Sequence, residues 1–118
     1  MKSMGIAEVI ASRSLEFPVG TLVTGGPGWA EYSVDIAKNV SPIESVPGLP
    51  VMHFLGAFGL PGFTAYDALM LIVKATTGDA IVVSGVAGAV GMMVVQIAKK
   101  MIGCRRVIGI AGSEDKCR

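Results

Sequence analysis

Residues 80–98 read AIVVSGVAGAVGMMVVQIA and contain no charged side chain. A run of this length must either cross a membrane, which takes about 20 apolar residues, or be buried as something shorter and broken. Its texture favours the second course. It opens with β-branched Ile81, Val82 and Val83 and then meets Gly85, Gly88 and Gly91, spaced by three instead of the four that packs membrane helices. That order predicts a strand over 80–84, buried on both faces, then a glycine turn and a helix over 88–101 that ends at Lys99, Lys100 and Gly103. A second uncharged run, residues 49–66, is interrupted by Pro50, His53 and Pro61 and reads as loop followed by a helix start.

The flanks complete the unit. After Pro61 the apolar residues Phe63, Tyr66, Leu69, Met70 and Val73 recur at helical spacing until Thr77-Gly78-Asp79 stops them. Residues 107–111 form another apolar strand. Helix, strand, glycine turn, helix and strand make a βαβ unit with a helix in front of it, so its two strands are expected to be parallel.

The first half reads differently. Residues 5–12 and 21–24 are expected strands joined through the turn Phe17-Pro18-Val19-Gly20, and Gly25-Gly26-Pro27-Gly28 breaks the chain. Residues 29–36 alternate, with Ala30, Tyr32, Val34 and Ile36 against Trp29, Glu31, Ser33 and Asp35, which predicts a half-buried antiparallel strand. Residues 37–50, with Pro42, Pro47 and Pro50, read as a loop.

Composition narrows the function classes. At 118 residues the chain has length for one modest core, and 52% hydrophobic against 16% charged residues excludes a disordered chain. The formal charge of +1 supplies no polyelectrolyte surface for nucleic acid. Cys104 and Cys117 lack CxxC spacing, which fits a reducing compartment, by default the cytoplasm, and the N-terminal apolar stretch is interrupted by Glu8, so no signal peptide is expected. Both cysteines read as inert, and Met92-Met93 as gap-filling packing behind the turn.

The chemistry sits in Ser84-Gly85-Val86-Ala87-Gly88-Ala89-Val90-Gly91, directly after the strand and opening the helix. A dinucleotide's pyrophosphate needs backbone N–H groups with no Cβ in the way, a tight turn, and the partial positive charge of a helix N-terminus. The spacing is GxxGxxG and not GxGxxG, so a structural glycine turn stands beside nucleotide binding as a reading. At the end of the next strand, where an acidic residue would hold the ribose of NAD, stand Ile110-Ala111-Gly112-Ser113. Lys116 follows close behind, so a 2′-phosphate would meet small residues and a cation, which favours NADP. Lys116 reads equally as a solvated surface lysine.

Three runs carry a family resemblance: GWAEYSV (28–34), LGAFGLPGFTAYDAL (55–69), and residues 78–117 with their AGAVG turn and distant GSxxK. They resemble the zinc-free medium-chain dehydrogenase/reductase proteins, and within these the prostaglandin reductase, leukotriene B4 12-hydroxydehydrogenase and alkenal double-bond reductase group. The resemblance implies an α/β protein with part of a GroES-like β region at 1–58, followed at 59–118 by the first βαβ unit of a Rossmann-type NADP-binding domain. It implies NADPH-dependent reduction of the C=C bond of a small-molecule enal or enone, without nucleic acid or membrane partners. Gly85, Ala87, Gly88, Ala89, Val90 and Gly91 would hold the pyrophosphate, and Gly112 and Lys116 the 2′-phosphate.

Gly85 stands where members commonly have alanine, and Leu60 where LPG is often MPG. Thr64 and Tyr66 belong to the segment nearest the reacting ring, but no catalytic role is assigned; Tyr66 is expected as a packed helix residue with its hydroxyl satisfied. No metal is expected, because zinc-dependent relatives need a Cys/His/Glu set and His53 is the one histidine, read as a core or loop residue. Family members are longer two-domain chains that often dimerise through their nucleotide domains. The chain is therefore expected to be a fragment that is inactive alone. The alternatives are a non-catalytic nucleotide-binding fragment and a small membrane protein.

Overall fold

The computed structural model describes residues 3–116, and the chain divides into two compact units, Met1–Leu55 and Gly56–Arg118. Cys117 lies outside the described residues.

In the first unit β1 (Gly5–Glu8) runs antiparallel to β2 (Leu22–Gly25). The ladder continues past β1 through the Val9 N–H to the Thr21 carbonyl (3.0 Å) and the Gly20 N–H back to the Val9 carbonyl (2.8 Å). The far edge of β2 takes a short strand, β3 (Ser41–Pro42), with Val23 opposite Pro42 and Thr24 opposite Ser41. Proline is acceptable there because an outer strand has an N–H position that needs no partner. The loop expected at 37–50 thus contains a strand and a single helical turn at Ala37–Asn39. Phe17 and Val23 form the buried centre of this unit.

The strand expected at 29–36 is not formed. These residues make no ladder, and Trp29, Tyr32 and Val34 are exposed, Val34 completely. Alternation prepares one face of a strand for burial but supplies no neighbour, and none of the described strands pairs with this segment.

In the second unit α1 (Leu60–Tyr66) starts with Pro61 in its first turn, where a missing N–H costs nothing. It continues as a wider helical segment, Asp67–Ile72, with the Val73 N–H reaching back to the Ala68 carbonyl (2.9 Å). Lys74 follows in the left-handed region at φ 54°. Asp79 then closes the connection: its carboxylate accepts from the Thr76 N–H (2.6 Å) and hydroxyl (2.9 Å). These hydrogen bonds hold the exposed Asp79 carboxyl below its usual value.

β4 (Ala80–Ser84) leads through the glycine turn into α2 (Ala89–Gln96). The helix widens over Ile97–Ile102 and ends at Gly103, left-handed at φ 75°. β5 (Arg106–Ile110) lies parallel to β4, with Ala80 opposite Arg106 and Ser84 opposite Ile110. The expected parallel pair with a helical crossover is therefore the architecture found.

α1 packs on α2, and fully buried Ala65 and Ala98 keep that contact close; Leu69 and Ile97 complete the core. Ile81, Met93, Val94 and Val107 pack against it. Val83, on the same face of β4 as Ile81, is buried. Opposite that face, Val82 is 61% exposed and Ile110 55%, with Ile108 also exposed. The strand expected to be covered on both faces is covered on one, because both helices are spent on the Ile81 side. Among the described residues no helix is long and apolar enough to cross a membrane.

Candidate nucleotide-binding site

The turn after β4 is built by backbone. Gly85 takes φ 62°, a conformation that an L side chain resists. Its carbonyl accepts the Gly88 N–H at 2.9 Å, and the Val86 N–H donates to the Ile110 carbonyl at 3.1 Å, tying the turn to the end of β5. Gly88 is extended at φ −83°, ψ 166° and begins α2 without a side-chain cap. The first intrahelical bond runs from the Met92 N–H to the Gly88 carbonyl (2.9 Å), so the N–H groups of Ala89, Val90 and Gly91 lie ahead of it. Ala87, Gly88, Ala89 and Val90 are all exposed, leaving this end of the helix open to an anion.

Gly91 has a different task. A Cβ there would lie 2.5 Å from the Gly85 carbonyl oxygen and 2.8 Å from Val86 Cα, so only glycine lets the helix approach its own turn. At Gly88 the same test gives 3.2 Å to the Gly85 oxygen, a tight but softer fit.

The second group of residues leaves the same edge of the sheet. Ser84 and Ile110 are register partners, so Gly85–Gly91 and the segment after Ile110 both emerge at the carboxyl ends of parallel strands, where open α/β sheets bind ligands. Gly112 has open space around it, and Glu114–Lys116 form one helical turn closed by the Lys116 N–H on the Ser113 carbonyl (3.1 Å). Lys116 is exposed, with Glu114 and Asp115 preceding it in that turn. The open backbone cradle, the helix start and the cation suit a phosphorylated dinucleotide.

The remaining singled-out residues lie elsewhere or act structurally. The Thr64 hydroxyl bonds the Leu60 carbonyl within its own helix (2.7 Å). Tyr66, expected to be packed, is 42% exposed. His53 is exposed in the helical turn Val51–Leu55, and no group of three or more His, Cys, Asp or Glu gathers as metal ligands among the described residues. Met93 packs against the core while Met92 is 48% exposed, so only one of the pair fills a gap. Cys104 is half-buried against the same core.

Val86, Gly109 and Gly62 make close contacts that the glycine motif of residues 85–91 does not announce. The Val86 side chain lies against Gly109, where an added Cβ would come within 2.8 Å of its Cγ atoms. Gly62 allows the closest approach of all, since a Cβ would fall 1.8 Å from the Ala57 carbonyl oxygen. A signal for Gly62 was available: Gly56, Gly59 and Gly62 repeat the spacing of Gly85, Gly88 and Gly91, and the Gly56 carbonyl likewise accepts the Gly59 N–H (3.1 Å).

No family model matches the chain. Among individual proteins it is 43% identical over 118 residues to prostaglandin reductase 1 of Oryctolagus cuniculus, covering 98% of this chain and 33% of the reductase. It is 37% identical to the NADP(+)-dependent 2-alkenal reductase of Nicotiana tabacum, covering 95% of this chain and 32% of that enzyme. The structure of CurA from Vibrio vulnificus in complex with NADPH superposes with a TM-score of 0.80 at 40% identity, over 99% of this chain and 34% of CurA. The chain thus spans about a third of the length of the relatives it matches.

Proposed function

We propose that this chain, homologous over nearly all its length to one third of the zinc-free medium-chain dehydrogenase/reductases of the prostaglandin reductase group, is the cofactor-holding part of an NADPH-dependent reductase of α,β-unsaturated aldehydes or ketones. Residues 1–58 are then the C-terminal part of a GroES-like substrate domain and 59–118 the start of a Rossmann-type NADP-binding domain. The carrying observation is that the Gly85–Gly91 turn and the Gly112–Lys116 segment leave one edge of a parallel strand pair, with the α2 N-terminus open between them in sequence.

Bound there, NADPH supplies the hydride for the C=C bond. The backbone from Gly85 to Gly91 receives the pyrophosphate, with Ala89 and Val90 offering exposed N–H groups, buried Gly91 letting the helix close on the turn, and Ala87 and Gly88 presenting no side chain that would block approach. Gly112 leaves room for the adenosine 2′-phosphate, and Lys116 supplies the opposite charge. No residue of this chain is given a catalytic role, and the 118 residues by themselves bind the nucleotide weakly without turnover. The cysteine usage supports a cytoplasmic location, the single exposed histidine supports independence from zinc, and the family resemblance supports a homodimer for the whole reductase.

Titration of the chain with NADPH and with NADH, followed by thermal shift, tests this reading. The expected result is tighter NADPH binding, lowered by about tenfold in Lys116→Ala while NADH is unaffected. Equal affinity for both nucleotides, or an unchanged NADPH affinity in the variant, would remove the 2′-phosphate assignment.

A further inference from the structure

The site just assigned has two phosphate-holding segments, and nothing in its glycines fixes how far apart they stand. One residue touches what does. The Val86 N–H donates to the Ile110 carbonyl at 3.1 Å, two residues before Gly112. The Val86 side chain lies over Gly109 of β5, where a Cβ would come within 2.8 Å of both Cγ atoms and 3.0 Å of its Cβ. On its other side the Val86 backbone meets Gly91 of α2, whose absent Cβ would lie 2.8 Å from Val86 Cα. Val86 is therefore seated between two glycine gaps, one on the helix that would receive the pyrophosphate and one on the strand that leads to Gly112.

We propose that Val86 is a positioning residue which sets the separation of the pyrophosphate turn from the 2′-phosphate segment, with Gly109 as the space its side chain requires. The proposal rests on the nucleotide reading above and adds to it the feature that makes the site measure a distance. A ligand that touches only the turn tolerates small displacements of β5, whereas a ligand fixed at both ends loses affinity when either end shifts, because one rigid molecule cannot satisfy both. A Cβ at position 109 cannot rotate away from Val86, so Gly109→Ala must push the turn and the strand apart.

The test compares adenosine 2′,5′-bisphosphate, which would engage both segments, with inorganic pyrophosphate, which would engage the turn alone, using ligand-observed NMR on the full chain. Gly109→Ala is expected to weaken the bisphosphate by about tenfold and leave pyrophosphate unchanged. The double variant Val86→Ala/Gly109→Ala, which removes both Cγ atoms from the clash, is expected to recover most of the loss. Val86→Ala alone adds no bulk; it should show the same selective weakening to a smaller degree, and it serves if Gly109→Ala does not fold. Equal weakening of both ligands, or no rescue in the double variant, would overturn the positioning role while the nucleotide site stands. Failure of the unmodified chain to bind either ligand would overturn the nucleotide reading and this inference with it.

Discussion

Replacing Gly91 with alanine sets two opposed effects against each other, and the structure decides the sign. Gly91 lies inside α2, where alanine is favoured by about 1 kcal/mol through backbone entropy. Against this, the new Cβ would stand 2.5 Å from the Gly85 oxygen, 2.8 Å from Val86 Cα and 3.0 Å from the Val86 oxygen, all backbone atoms that no rotamer change can move. Overpacking of this kind costs about 1–3 kcal/mol, and the rigid contact puts Gly91→Ala at the upper end. The net destabilisation is about 1–2 kcal/mol, or a fall of roughly 5–10 °C in Tm for a unit of this size. Urea unfolding followed by circular dichroism, with Gly112→Ala as the control in open space, measures it. A Gly91→Ala chain as stable as the unmodified one would refute the claim that the turn and helix are in contact.

Two further outcomes follow from the connections. Asp79 has a folded-state value below its ordinary 3.8, so its stabilisation is present above that value and is lost as pH falls through the lower one. Asp79→Asn should therefore be less stable near neutral pH, and its urea midpoint should fall less on acidification below about pH 4 than that of the unmodified chain. Lys74 holds a left-handed conformation at φ 54° one residue past the C-cap Val73, whereas in the other helix glycine, Gly103, takes the left-handed position as the C-cap itself. Lys74→Gly should raise stability by about 0.5–1 kcal/mol in the same assay.

The second half of the chain was legible because its signals are local. β4 occupies the residues its β-branched run predicts, and α2 begins at the glycine turn and ends beside Gly103, since a strand, a turn and a helix each declare themselves within a few residues. Residues 29–36 were misread because a strand is a property of a pair, and alternation records which face would be buried but not whether a neighbour is at hand. The exposed face of β4 has the same origin: Val82 and Val83 are alike in sequence, and only the placement of both helices on one side separates them. In the site, glycines announce themselves by identity, but Val86 matters through Gly109, 23 positions away, a relation that exists only after the strands meet.

The hydrogen bond from the Val86 N–H to the Ile110 carbonyl joins the end of β4 to the end of β5, so the Gly85–Gly91 turn in its described shape exists only in chains whose parallel strands have paired. An unfolded chain offers a nucleotide no such turn. Ligand occupancy and folding are then linked quantities: a nucleotide at a hundred times its Kd would add about 2.7 kcal/mol to the folded state. In a unit with one sheet face uncovered, that is a large share of what holds it together. Were a nucleotide to bind at this turn as proposed, raising its concentration would raise the folded fraction.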